Sequence, residues 1–367
     1  TDVTGKRQRA NGSDGTGIDI AMIDSGVSPV DGLDGPNVLH GPDLSGEGAY
    51  PQVAYLDTYG HGTHMAGIMV GQRTGHEGIA PGARIVSVKV AGADGTTTVP
   101  QVVAGIDWVA EHHDTDGLNI RVLSLSLGQA GVSTHEGNLL SAAVERANDA
   151  GIFVVAAAGN RGEGQPHLDA PAIDPFVMAV GAVDSSVQPV AKWQEPTSWT
   201  ARGTGNRHPD IGAPGVSIAS YRVPGSTVDE LAPQARYGDD LFLGSGTSQS
   251  AAIVSAIAAR LLGDYPGLTP AGLKATFEAG AAITSLSPAP VMLFGDGVVQ
   301  GGKSWNRPQF NTPKQSHTRA AGPDKGIVEP SGATWSGGGW SGASWSGATW
   351  SGATWSGATW SGATWSG

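Results

Sequence analysis

Three side chains able to act as nucleophile, base and carboxylate stand where a strand or helix should begin or end. Ser248 lies in Leu243-Gly244-Ser245-Gly246-Thr247-Ser248-Gln249, after two glycines and before a small, apolar run that nothing breaks until Gly263. A serine at a loop-to-helix junction meets unpaired backbone N–H groups and the positive end of the helix dipole. An oxyanion forming there would find donors already aimed. The same position suits a helix cap, and this stretch alone favours the cap. Asp24 closes the apolar run from Ile18 to Ile23 and precedes the turn Ser25-Gly26. In open α/β sheets, ligands bind beyond the carboxyl ends of the strands, so this carboxylate is placed for chemistry. An Asx turn is the plainer use for it. His61 and His64 belong to Gly60-His61-Gly62-Thr63-His64-Met65, which reads as a loop entering a short helix. Two histidines three apart share a helical face, yet the HExxH spacing is absent and no acid lies between them, which argues against zinc. One histidine acting as base with the other packed behind it fits better. Spacing does not say which.

The elements that must position these groups alternate in type. Apolar runs predict strands over 18–24, 83–90, 121–127, 151–157 and 176–183. Helical periodicity predicts helices over 100–112 and 138–150, and Thr269-Pro270 supplies an N-cap and first turn for a helix over 270–279. Residues 1–17 read as a polar surface arm and 31–57 as loop. Strands alternating with helices at these lengths predict a mostly parallel sheet covered on both faces.

Composition narrows the functional classes. A chain of 367 residues has ample material for a core. Its formal charge of -12 argues against nucleic acid as main partner. With no cysteine, it has neither a disulfide framework nor thiolate metal ligands. No apolar run reaches the roughly 18 residues of a spanning helix. The polar start Thr1-Asp2-Val3-Thr4-Gly5-Lys6 is no signal peptide, so it reads as a processed N-terminus or a cytosolic protein.

In chain order the three groups read Asp, His, Ser, and over residues 15–300 the chain resembles the subtilisin-like serine proteases, or subtilases. Four blocks carry the resemblance: Ile23-Asp24-Ser25-Gly26-Val27, His61-Gly62-Thr63-His64-Met65-Ala66-Gly67, Ala156-Ala157-Ala158-Gly159-Asn160 and Gly246-Thr247-Ser248. The resemblance implies a three-layer α/β fold with a mostly parallel central sheet. It also implies a serine endopeptidase with catalytic Asp24, His61 and Ser248 and an oxyanion hole at Asn160, His64 being structural. Ser126, Leu127, Gly128, Ala157, Ala158 and Gly159 would by the same resemblance line the cleft for the P1 side chain. Asp169 would lie near its floor and Arg161 on its rim. Small walls imply a broad apolar or aromatic P1 preference, with basic P1 the lesser alternative. An N-terminal prodomain, absent from this chain, and an extracellular location are further implications, a cytoplasmic one being the minor alternative.

Two features depart from the family pattern. Gln249 follows the serine, and Ala252 stands where a proline is usual; the exchange is expected to relax the first turn of the helix. The loop 71–77 is too short and poor in oxygen ligands for the calcium loop of many secreted relatives, so no metal site or cofactor is indicated. Acid-rich turns at Asp31, Asp34, Asp43 and Glu47, or at Asp239 and Asp240, leave structural calcium open. Residues 1–300 thus read as the peptidase domain, 301–330 as a linker and 331–367 as a tail of tryptophan-containing pentapeptides. Seven of the 11 tryptophans fall in this tail, five residues apart. Glycine and serine in every unit disfavour helix, and the exposed indoles imply a partner: the tail itself, the peptidase domain, or a cell-wall or glycan surface. Two other functions fit the same features. One is an assembly or surface-binding protein with a vestigial protease domain, the other a peptide ligase or macrocyclase using the same acyl-enzyme.

Overall fold

The computed structural model describes residues 13–162, 166–184, 196–205 and 207–283, with short strands at 300–301, 334–335, 344–350 and 353–359. The first strand, β1 (Asp19–Asp24), sets the plan. Its side chains alternate, so Ile20 and Met22 enter one hydrophobic core while Ala21 and Ile23 enter another on the opposite face. After it come β2 (Val38–Asp43), α1 (His61–Val70), β3 (Arg84–Lys89), α2 (Val99–His112), β4 (Ile120–Leu125) and the two-residue β5 (Leu127–Gly128). Then follow α3 (Leu139–Asp149), β6 (Phe153–Ala157), β7 (Met178–Val183), β8 (Ile211–Pro214), β9 (Ile218–Tyr221), α4 (Thr227–Leu231), β10 (Arg236–Tyr237) and β11 (Leu241–Ser245). Helices α5 (Thr247–Asp264) and α6 (Pro270–Ile283) precede β12 (Gln300–Gly301).

The main sheet has the order β12-β8-β7-β6-β4-β1-β3-β2, all parallel except β12. One face is covered by α1, α5 and α6, through residues such as Met65, Ile257 and Phe277. The other is covered by α2 and α3, through Ile106 and Val144 among others. This is the expected three-layer α/β arrangement. From β1 the chain turns outward to β2 and β3, whereas from β4 it continues to β6, β7 and β8. The neighbours β1 and β4 therefore flank the point where strand order reverses, and at such a point open α/β sheets bind their ligands beyond the carboxyl ends of the strands. Asp24 and Ser126 stand there.

Local signals explain most element ends. Thr98 and Gln101 form a reciprocal capping box at α2, and Asn138 accepts the Ser141 N–H at 3.1 Å to start α3. Four expectations need correction. The segment read as loop over 31–57 contains β2, an edge strand whose partial burial gave no apolar run. Gly244 and Ser245 belong to a strand rather than a loop, leaving Gly246 alone between β11 and α5. Helix α5 runs through Gly263 to Asp264, and α6 continues to Ile283. Of the N-terminal arm, residues 1–12 lie outside the described residues, while Ser13 donates its N–H to Asp264 at 2.8 Å.

In the tail, β13 (Thr334–Trp335) pairs antiparallel with β5. Strand β14 (Ser344–Trp350) pairs with Gly244 and Ser245 of β11 and with β15 (Ala353–Thr359). The linker over 302–330 and the remaining repeats lie outside the described residues.

Candidate active site

Asp24 ends β1 fully buried, and His61 opens α1 at 1% exposure. The His61 Nδ1 atom lies 2.9 and 3.0 Å from the two Asp24 carboxylate oxygens. An ionised carboxylate only accepts, so Nδ1 carries the proton and Nε2 is left as the basic nitrogen. Burial pushes the Asp24 carboxyl up, and the neighbouring His61 and the Ser25 N–H pull the other way. Gly62 permits the close approach of α1 to β1, because a Cβ there would collide with the Gly26 carbonyl oxygen.

A second buried carboxylate aims this helix. Asp57 accepts the N–H groups of Gly60 and Thr63, each at 2.7 Å, on the first turn of α1. It also takes the Ser25 hydroxyl at 2.7 Å, and that hydroxyl accepts the Gly62 N–H at 2.9 Å. Lys89, buried at the end of β3, donates to the carbonyls of Ser25 at 2.9 Å and Leu56 at 2.6 Å and pairs with Glu47 at 3.0 Å. Sequence reading missed Asp57, Ser25 and Lys89 as positioning residues. The available signal was an Asp just ahead of a helix start, hidden in a segment read as loop. His64 turns elsewhere: its Nε2 lies 3.1 Å from the Phe242 carbonyl, and burial first, then His61, lower its pKa to about 3.

Ser248 occupies the first turn of α5, which packs against α1. Its hydroxyl donates to the Ser126 carbonyl at 3.2 Å, and the Ser126 hydroxyl donates back to the Ser248 carbonyl at 3.2 Å. Thr247 ties this turn to Asn160, whose Oδ1 accepts the Thr247 N–H at 2.9 Å and its hydroxyl at 3.0 Å. Both donors select one flip of the Asn160 amide, so its NH₂ end faces away from Thr247. Gln249 and Ala252 are fully buried, and the Gln249 side-chain amide has no hydrogen-bond partner among the described residues. The expected relaxation of the first turn is misplaced, because Ala252 is the sixth residue of α5. Its N–H stands in the i→i−4 position to the Ser248 carbonyl, a donor that proline would remove.

The six residues expected to line the P1 cleft lie where β4 and β6 run off the sheet. Ser126, Leu127 and Gly128 continue β4; Ala157 ends β6, with Ala158 and Gly159 beyond it, and all six are buried. Asp169 lies against both segments and pairs with Arg161 at 2.8 Å. Among the described residues no group of three or more His, Cys, Asp or Glu side chains is disposed to hold a metal ion. The acid turns have other work: Asp43 accepts from Ser45 and Tyr55, and Asp240 pairs with Arg73.

Comparison with known proteins gives the family and the fold. The model of the subtilase family matches residues 15–312. Serine protease AprX of Bacillus subtilis (strain 168) is 34% identical over 276 residues, covering 72% of this chain and 61% of the relative. Minor extracellular protease Epr of the same organism is 34% identical over 236 residues, covering 61% and 32%. The chain thus spans 61% and 32% of the length of these two relatives. The crystal structure of a cold-adapted subtilisin-like serine proteinase superposes with a TM-score of 0.58 at 27% identity, covering 76% of this chain and 89% of that one. The chain belongs to the subtilase family.

Proposed function

We propose that the chain is a serine endopeptidase that cleaves peptide bonds through an acyl-enzyme, and that it works outside the cell. In this reading Ser248 attacks the scissile carbonyl while His61 Nε2 takes its proton. Asp24 holds the ring tautomer and stabilises the imidazolium. The tetrahedral oxyanion is met by the Asn160 NH₂ and the Ser248 backbone N–H. His61 then protonates the leaving amine, and a water activated by the same nitrogen releases the acyl group. The observation that carries the reading is the buried Asp24–His61 contact, 2.9 and 3.0 Å to the two oxygens, which leaves Nε2 as the base.

The backbone of Leu127 and Gly128 offers an edge on which an extended peptide adds a strand. The small walls at Gly128, Ala157, Ala158 and Gly159 favour large apolar or aromatic side chains at P1. The extracellular assignment rests on the printed name of Epr; among the described residues no helix is long and apolar enough to cross a membrane.

A fluorophosphonate probe should label the wild type at Ser248 and leave Ser248→Ala unlabelled, with peptide hydrolysis lost in parallel. Labelling of both proteins, or a wild type that is neither labelled nor active on peptides, overturns the reading.

A further inference from the structure

Asp57 holds more donors than a helix start requires. Gly60, the residue ahead of α1, has no side chain to cap the helix. Asp57 supplies that cap by accepting the Gly60 and Thr63 N–H groups at 2.7 Å each. Its third donor belongs to another element. The hydroxyl of Ser25, the residue after β1, lies 2.7 Å from Asp57 Oδ1 and 3.2 Å from Asp24 Oδ1. One hydroxyl proton thus stands between two buried carboxylates, each at most 1% exposed. Asp57 is the nearer, which leaves Asp24 with the Ser25 N–H at 2.8 Å and the His61 ring. The same hydroxyl accepts the Gly62 N–H at 2.9 Å, one residue after the histidine. Strand β1 and helix α1 are therefore clasped where Asp24 meets His61.

The other titratable groups around this pair are accounted for. Lys89, from β3, directs its ammonium at the Ser25 and Leu56 carbonyls and at Glu47. Those two carbonyls adjoin Asp24 and Asp57, so both carboxylates rest on one support. On α1, burial keeps His64 neutral. Burial also pushes the Tyr59 hydroxyl up, and Asp24, Asp57 and Asp94 add to the effect. For Asp24 itself, burial first and Asp57 in smaller part push the carboxyl up, against His61 and the Ser25 N–H. A like charge beside a carboxylate strengthens it as an acceptor, and a negative charge favours a nearby cation.

We propose that Asp57 is a positioning residue for the Asp24–His61 pair: through the Ser25 hydroxyl it fixes Asp24 against the ring, and its charge favours the imidazolium formed when Ser248 gives up its proton. Capping α1 and tuning the base are then one contact network, shared between a strand end and a helix start. The inference rests on the peptidase reading above and adds to it a second carboxylate that touches no reacting atom. It acts through Ser25 and through its field.

The test follows kcat/KM for one chromogenic peptide from about pH 5 to 9, with active enzyme counted by fluorophosphonate titration. Asp57→Asn keeps the shape and removes the charge. It should move the acid limb of the profile about half a unit towards lower pH and lower kcat about tenfold. Ser25→Ala keeps both charges and removes the bridge. It should lower kcat about threefold or more, with the acid limb within about 0.2 unit of wild type. A cap and nothing more would change the yield of titratable enzyme and leave the limb in place. An acid limb that moves less than about 0.2 unit in titratable Asp57→Asn therefore overturns the proposal while leaving the peptidase reading intact. If Asp57→Asn gives no titratable enzyme, a kcat within about twofold of wild type in Ser25→Ala overturns it instead. A wild type that is neither titratable nor active on the peptide overturns both.

Discussion

Thr247 has less freedom than its place beside Ser248, the proposed nucleophile, suggests. Its hydroxyl donates to Asn160 Oδ1 at 3.0 Å and accepts the Gly159 N–H at 3.2 Å, so one side chain orients the proposed oxyanion donor and anchors the segment after β6. Thr247→Val keeps the shape and the backbone N–H but loses both hydroxyl contacts. Removing one oxyanion-hole donor lowers kcat by about 10²–10³-fold, which is the expectation for Asn160→Ala. Thr247→Val should fall short of that, near tenfold, with KM hardly changed, because the amide remains and only its aim is loosened. Steady-state kinetics on one peptide checks this; a rise in KM at constant kcat would place Thr247 in substrate binding instead. The Gly-Thr-Ser run was legible in the sequence as a nucleophile block, but the threonine's partner lies 87 residues away and no local pattern points to it. Asp57 was unreadable for a similar reason. Its contacts with Ser25 and Thr63 exist only once β1 and α1 are packed.

At the scale of elements, legibility followed burial. Strands β1, β4, β6 and β7 are almost wholly buried and appear in the sequence as apolar runs, whereas β2, half-covered at the sheet edge, does not. The capped helices α2 and α3 were placed to within about two residues. The small residues of α5 hid how completely it is enclosed: Ile253, Val254, Ile257 and Leu262 are at most 2% exposed. Each such side chain contributes about 1.5–3 kcal/mol by burial. Besides the apolar contacts of Leu273 and Phe277, α6 is joined to the sheet by a polar cluster that was not foreseen. Lys274 reaches the carbonyls of Pro175 at 2.9 Å and Val177 at 2.6 Å and the Asp210 carboxylate at 3.0 Å. Arg207 pairs with the same carboxylate at 2.8 Å. Burial alone would raise the Asp210 carboxyl, but Arg207 and Lys274 bring it below its ordinary value. A carboxyl held lower in the folded state contributes stability that is present above its unfolded pKa, about 3.9, and is lost as pH falls through the folded value. Urea unfolding of the wild type should therefore weaken on acidification below about pH 4, and Asp210→Asn should flatten that limb while lowering stability at neutral pH. An unchanged acid slope in the variant would show that Asp210 is not the group responsible.

At the scale of the molecule, the fold brings together groups from four remote stretches of chain. Asp24 ends a central strand at the point where strand order reverses, and Ser126 directly follows its neighbour. His61 and Ser248 begin two helices on one face of the sheet. Strands of the tail pair beside these elements. Thr334 and Trp335 pair with Gly128 and Leu127, and Thr349 and Trp350 pair with Ser245 and Gly244, three and four residues before Ser248. An extended substrate would use the first of these edges. If tail and substrate compete for it, the tail acts as a tethered competitor at an effective concentration on the order of millimolar. Ending the chain before residue 331 should then lower KM for an extended peptide by about three- to tenfold and leave kcat unchanged. A synthetic peptide of residues 331–367, added in trans, should restore the higher KM only near millimolar concentration. Short substrates that do not reach the edge should be indifferent to the truncation. Equal KM values for extended peptides in both chains would leave the tail with no part in substrate access.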